Sequence, residues 1–167
     1  MSQLIGLGEY CGQTNFSGLL EIEYVPTEWV DHSTYEYIVN SSFNWQYEIQ
    51  FVQGSWLKAY ALPTSKIWEE NQQRNNQGPF YDQSVQAVIP KLKPSVSGEF
   101  DKMPQYRYLL RLTDRNNTKW ILGTLENPFE FSSNGSVGGD GSLNNYSISF
   151  RSQTPKKAAG FDPVLSA

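Results

Sequence analysis

The stretch Phe43-Asn-Trp-Gln-Tyr-Glu-Ile-Gln-Phe-Val52 carries the strongest pattern in the chain. Phe43, Trp45, Tyr47, Ile49 and Phe51 alternate with Asn44, Gln46, Glu48 and Gln50. A side-chain period of two puts the large groups on one face of a sheet, whereas a helix would scatter them around its axis. The spacing predicts a half-buried β-strand over 43–52. After a turn at Gln53-Gly54-Ser55, the segment Trp56 to Leu62 reads as its hairpin partner.

The same alternation recurs on both sides. Leu20, Ile22 and Tyr24 alternate with Glu21 and Glu23, which places the two carboxylates on the solvent face. Tyr106, Tyr108, Leu110 and Leu112 alternate with Arg107 and Arg111. Asp114-Arg-Asn-Asn117 is a turn by composition, because Asp and Asn bond their own backbone and tolerate positive φ. Lys119 to Leu125 then returns, so 106–125 is a second hairpin. Further strands are expected at Phe80–Ile89, Phe129–Phe131 and Tyr146–Arg151. Lys66–Arg74 has residue types that permit a helix, but the following Asn75-Asn-Gln-Gly-Pro79 turn with a strand behind it favours a third hairpin.

Four segments read as loops: Val25–Tyr37, Pro94–Pro104, Ser132–Asn145 and the tail Ser152–Ala167. Many short strands punctuated by Gly, Pro and Asn indicate an all-β fold, a β-sandwich or barrel of about eight or nine antiparallel strands. The expected organisation is one all-β domain over 1–151, with long loops, and a C-terminal tail or arm over 152–167.

The composition agrees with one domain. A chain of 167 residues buries roughly 70% of its unfolded surface. Charged residues are 18% of the chain, below the usual level of about 25%, so Asn, Gln, Ser and Thr must supply much of the polar surface. The net charge of −4 and the absence of a Lys/Arg run beyond Lys156-Lys157 disfavour nucleic-acid binding. Cys11 is the only cysteine, which excludes an intrachain disulfide and paired-thiolate metal sites. Met1–Tyr10 does not have the form of a signal peptide, so a protein made in the cytosol and not secreted is expected. No run approaches the ~18 apolar residues of a membrane span.

Candidate chemistry is sparse. His32 is the sole imidazole and follows Asp31 in a polar loop, where adjacent residues seldom converge as catalytic partners. Glu21/Glu23 and Glu69/Glu70 invite comparison with glycosidase carboxylate pairs, but the alternation around Glu21 and Glu23 makes theirs a solvent face. The glycine-rich run Asn134–Ser142 lacks the Lys-Ser/Thr and the helix of a phosphate loop, and it lacks the oxygen ligands of a calcium loop. No catalytic, metal or cofactor residues are assigned, and no enzyme is expected. Trp29, Trp45, Trp56, Trp68 and Trp120 raise sugar recognition; Trp45 belongs to the core stripe, while Trp56, Trp68 and Trp120 lie near turns.

Three stretches carry a resemblance: Tyr106-Arg-Tyr-Leu-Leu-Arg-Leu-Thr-Asp114, then Trp120-Ile-Leu-Gly-Thr-Leu-Glu-Asn-Pro-Phe-Glu-Phe131, then Asn144-Asn-Tyr-Ser-Ile-Ser-Phe-Arg-Ser-Gln-Thr-Pro155. A hairpin closing on Leu-Gly-Thr-x-x-x-Pro, a Gly/Asp/Asn-rich loop and a Tyr-x-Ile-x-Phe strand resemble small virion proteins of tailed bacteriophages and prophages. The resemblance implies a structural tail or neck subunit, without catalytic activity, that assembles with itself into sixfold rings or a tube and meets other virion proteins. A capsid decoration or head-exterior protein is the alternative, and a carbohydrate-binding attachment module is a third. Residues of the long loops and turns are the expected interface: Trp29, His32, Tyr35, Trp56, Trp68, Gly138, Gly139, Asp140, Lys156 and Phe161.

Overall fold

A computed structural model of the protein describes residues 16–40, 42–139 and 144–161. Two antiparallel sheets form a sandwich, so the choice between sandwich and barrel falls to the sandwich. The strands are β1 (Leu19–Pro26), β2 (Leu57–Lys58), β3 (Ile67–Asn75), β4 (Gly78–Pro90), β5 (Tyr108–Asp114), β6 (Lys119–Leu122), β7 (Glu130–Ser136), β8 (Asn145–Thr154) and β9 (Ala159–Phe161). One sheet has the order β2-β1-β5-β6-β9 and the other β3-β4-β8-β7.

The facing sides interdigitate through Ile22, Leu110, Leu112 and Leu122 from the first sheet and Val85, Ala87, Ile148 and Phe150 from the second. Leu109, Leu110, Leu112 and Leu122 are fully buried, each burial contributing about 1.5–3 kcal/mol. Leu109 and Leu110 are neighbours, so the five-stranded sheet is buried on both faces. Its outer face holds Val25, Leu109, Ile121, Ala159 and Phe161, and Val30, Trp45 and Ile49 pack over them. The molecule therefore has a third layer, built by the chain between β1 and β2.

That layer overturns the first strand assignment. Residues 43–52 form no ladder and make only isolated bridges, Val39 with Trp45, Asn44 with Gly160, and Val30 with Phe51. Trp45 is 3% exposed, but Phe43 and Tyr47 are 46% and 53% exposed. The neighbouring places on β1 and β5 are already filled by each other, and a turn redirects the chain. Asn40 Oδ1 accepts from the Ser42 and Asn44 amides, and Phe43 takes φ 61°. The segment covers a sheet rather than joining one. Nor is Trp56–Leu62 its partner: Leu57 and Lys58 pair with Tyr24 and Glu23 of β1.

The other two hairpins stand as expected. β5 and β6 pair from Leu110–Leu122 to Thr113–Lys119, and Asp114 Oδ1 holds the turn through the Asn116 and Thr118 amides. β3 and β4 pair from Ile67–Gln86 to Asn75–Gly78, so Lys66–Arg74 is strand from Ile67 onward. Asn75 Oδ1 accepts from the Gln77 amide, and Gly78 at φ 120° completes a turn that L side chains rarely allow.

Three expected loops are shorter than read. Pro94–Lys102 is an α-helix, α1, continued by a 3-10 turn at Met103–Gln105. Pro94 at its first turn has a preset helical φ, and Phe100 packs on Phe131 and Tyr146 at ring distances of 5.4 and 5.0 Å. Residues 132–136 belong to β7, because Ser132 through Ser136 continue the pairing with β8. Residues 152–154 lie in β8 and 159–161 in β9, so the expected tail is part of the domain at least to Phe161. Two contacts explain this: the Ala158 amide donates to Glu70 at 2.8 Å, and the Gly160 amide donates to the Phe43 carbonyl at 3.0 Å.

Candidate assembly surfaces

The two sheets differ in what they leave uncovered. In the five-stranded sheet, β2 is two residues long, and β9 is flanked by the Asn44–Gly160 bridge. In the four-stranded sheet, β3 and β7 are open edges. β3 pairs with β4 over nine consecutive positions without a register shift and contains no proline. Among the described residues no strand pairs with its outer edge, and a row of open amides and carbonyls is the template on which another strand can add.

Among the described residues, nothing covers the outer face of the same sheet. Both buried apolar clusters lie elsewhere, and register sets polar rows across it. One row is Ile67, Gln86, Ser149 and Ser132; the next is Glu69, Ser84, Arg151 and Glu130. A shallow cleft of about 450 Å³ runs along Ser65, Ile67, Gln86, Ser147 and Ser132. A groove of about 520 Å³ adjoins it at Asp82, Arg107, Glu130, Arg151 and Gln153, where Arg107 and Glu130 pair at 3.3 Å. Short hydroxyl and amide side chains make this face flat. Because β4 pairs with β8 only from Tyr81 onward, the β3–β4 turn projects past the sheet.

The expected interface residues fall into two groups. His32, Gly138 and Gly139 are exposed; Asp140 lies outside the described residues. The others are engaged within the chain. Trp29 lies so close over Gly54 that a Cβ there would sit 2.5 Å from its ring. Tyr35 packs on Trp45 at 6.0 Å, and burial pushes its hydroxyl up to about 12. Trp56 meets Phe51 at 5.9 Å, Lys156 Nζ stands 4.0 Å from the Tyr37 ring centre, and Phe161 is buried in the outer cluster. Trp68 is half-buried beside Trp120 at 5.4 Å.

Glu23 is not a solvent-face carboxylate. The covering layer buries it, and Arg111 Nε donates to its Oε2 at 2.6 Å, with the guanidinium 4.8 Å from the Trp56 ring centre. Glu21 does reach solvent, where the Lys58 ammonium at 2.9 Å holds its carboxyl below the usual range. Glu70 is largely buried and accepts from Gln83 Nε2 at 2.6 Å; Lys157 Nζ lies 3.6 Å from it. Nothing in the sequence marked Glu23 or Glu70 as inward-facing, since each partner is distant in the chain. His32 Nε2 bonds the Thr27 carbonyl oxygen at 2.9 Å, while Asp31 accepts from the Ser33 hydroxyl at 2.6 Å, which keeps its carboxyl below the ordinary range. The two side chains thus serve the loop, each with its own partner. Among the described residues, no group of three or more His, Cys, Asp or Glu is placed to hold a metal ion. No described helix is long and apolar enough to cross a membrane.

No family model matches the chain, and searches of curated proteins and of solved structures found no match.

Proposed function

We propose that this protein is a self-assembling structural subunit of a tailed-phage virion, building rings or a tube of the tail or neck. The observation that carries the reading is β3, an uninterrupted edge strand of nine residues with no proline or bulge. Natural monomers often blunt such edges with prolines or bulges, and β3 has neither; its one inward charge, Glu70, is tied off by Gln83 and the Ala158 amide. An edge left open in this way serves pairing with a second copy, and β7 at the far side of the same sheet offers a second edge. An interface that joins two different edges is heterologous, and it closes into a ring when the rotation between copies closes.

The uncovered face of that sheet supports the same reading. Its Ser, Gln and Asn rows bear few cations, as befits a wall along which DNA must slide without sticking. The engaged positions of Trp29, Tyr35, Trp56 and Phe161 shift the interface away from the aromatic loops and onto the four-stranded sheet.

Sedimentation velocity on the full chain tests this. The wild type is expected to sediment as rings or larger species. Asn71→Lys/Gln73→Lys, which sets like charges together along the paired edge, is expected to sediment as a monomer with an unchanged circular dichroism spectrum. A folded double variant that still assembles rules out β3 as the contact.

A further inference from the structure

The tryptophans divide sharply by surroundings. Trp45 is buried, Trp29 lies over Gly54, and Trp56 is held between Phe51 and Arg111. Trp68 and Trp120, each half-buried against the main core, meet where β3 of one sheet passes β6 of the other. Their ring centres are 5.4 Å apart and their planes 50° apart, and they line a cleft of about 410 Å³. That volume falls within the roughly 300–1,000 Å³ of small-molecule sites.

A third ring completes the wall. Phe16, also lining the cleft, is 58% exposed, yet its backbone is pinned. Its amide donates to Asn116 Oδ1 at 2.8 Å, and Asn116 Nδ2 donates back to its carbonyl at 3.2 Å. The Arg115 amide holds the Gly18 carbonyl at 3.1 Å. The turn between β5 and β6 thus fixes the backbone that carries this exposed ring.

The polar groups at the rim have capacity to spare. Asp114 Oδ1 is taken by the turn amides, while among the described residues Oδ2 receives only Trp120 Nε1, at a long 3.4 Å. Lys66 Nζ donates to the Leu20 carbonyl at 2.7 Å, and an ammonium has three donors. Flat apolar rings below, with an acceptor and a donor at the edge, suit a ligand with a C–H face and a girdle of hydroxyls. Two indoles inclined at 50° make a wedge that fits a chair-shaped ring better than a planar one. Asp114 and Lys66 give the rim one charge of each sign, which suits a neutral ligand.

We infer that the Trp68–Trp120–Phe16 cleft binds a neutral, gluco-configured pyranoside, whose equatorial hydroxyls leave apolar C–H faces for the rings. The test follows the indole N–H signals of the full chain by NMR during titration with cellobiose. The Trp68 and Trp120 signals are expected to move saturably, with a Kd on the order of 1 mM or tighter, while those of Trp29, Trp45 and Trp56 stay in place. Phe16→Ala removes an exposed ring without opening the core, and it is expected to weaken binding at least threefold. Unmoved signals, shifts shared by all the indoles, or unchanged binding by a folded Phe16→Ala variant would each overturn the inference.

Discussion

Glu23 and Arg111 face each other directly across the β1–β5 pairing, Nε to Oε2 at 2.6 Å, with side chains 9% and 16% exposed. An ion pair this dry joins the middle layer of the molecule to its covering layer, because the Trp56 ring lies against the same guanidinium. Losing one partner strands the other charge away from water. Arg111→Met is expected to cost about 3–5 kcal/mol, read as a lower urea midpoint. Glu23→Leu/Arg111→Met is expected to recover most of that loss. Additive losses in the double variant would mean that the two side chains act independently and that no stranded charge is at issue.

Gly160 fits closely against Asn44. A Cβ at Gly160 would overlap the Asn44 amide oxygen, and Phe43 O lies only 3.7 Å away. Gly160→Ala is expected to destabilise by about 1–3 kcal/mol, the usual cost of overpacking. Asn44→Ala in the same chain restores space and is expected to recover part of the thermal midpoint. No recovery would place the strain elsewhere in β9.

Four tyrosines resist ionisation in the fold. Burial raises the hydroxyls of Tyr24, Tyr37 and Tyr108 above the ordinary value, and it takes Tyr35 from 10 to about 12. A raised folded-state value stabilises the fold fully below pH 10 and loses that contribution as pH climbs toward 12. Alkaline unfolding, followed by absorbance at the phenolate band, is therefore expected to carry a late group of tyrosines. Tyr35→Phe is expected to move the alkaline midpoint to higher pH. A midpoint that stays in place or falls would show that Tyr35 ionises without opening the covering layer.

What was legible in the sequence divides by physical cause. The β5–β6 hairpin was readable because β5 alternates and the turn chemistry of Asp114 is local. The β3–β4 hairpin rested on its turn alone, since β3 is largely exposed and has little periodicity. The 43–52 stretch misled because alternation reports one-sided burial, and this draped segment buries only Trp45 and Ile49 of that side and leaves Phe43 and Tyr47 exposed. Its amides find partners outside any ladder, as with Trp45 N to Gly160 O at 2.8 Å and Gln46 N to Ile38 O at 3.0 Å. Helix α1 offered only Val96 and Phe100 as large apolar residues around Gly98, too few to set a period. The open edge and flat face of the four-stranded sheet were invisible because exposed polar residues carry no pattern. They emerge only from the strand order.

Strand addition at β3 also predicts a protection pattern. On assembly, amide hydrogen exchange is expected to slow along 67–75, while Gly138 and Gly139, exposed and clear of the edge, continue to exchange. Slowing confined to 137–139 would move the interface to that loop.

Electron microscopy of the purified full chain at high concentration tests the central claim most directly. The account predicts closed rings or tubes of repeating copies, lost in the folded Asn71→Lys/Gln73→Lys variant. A wild-type chain that remains monomeric at every concentration would contradict it.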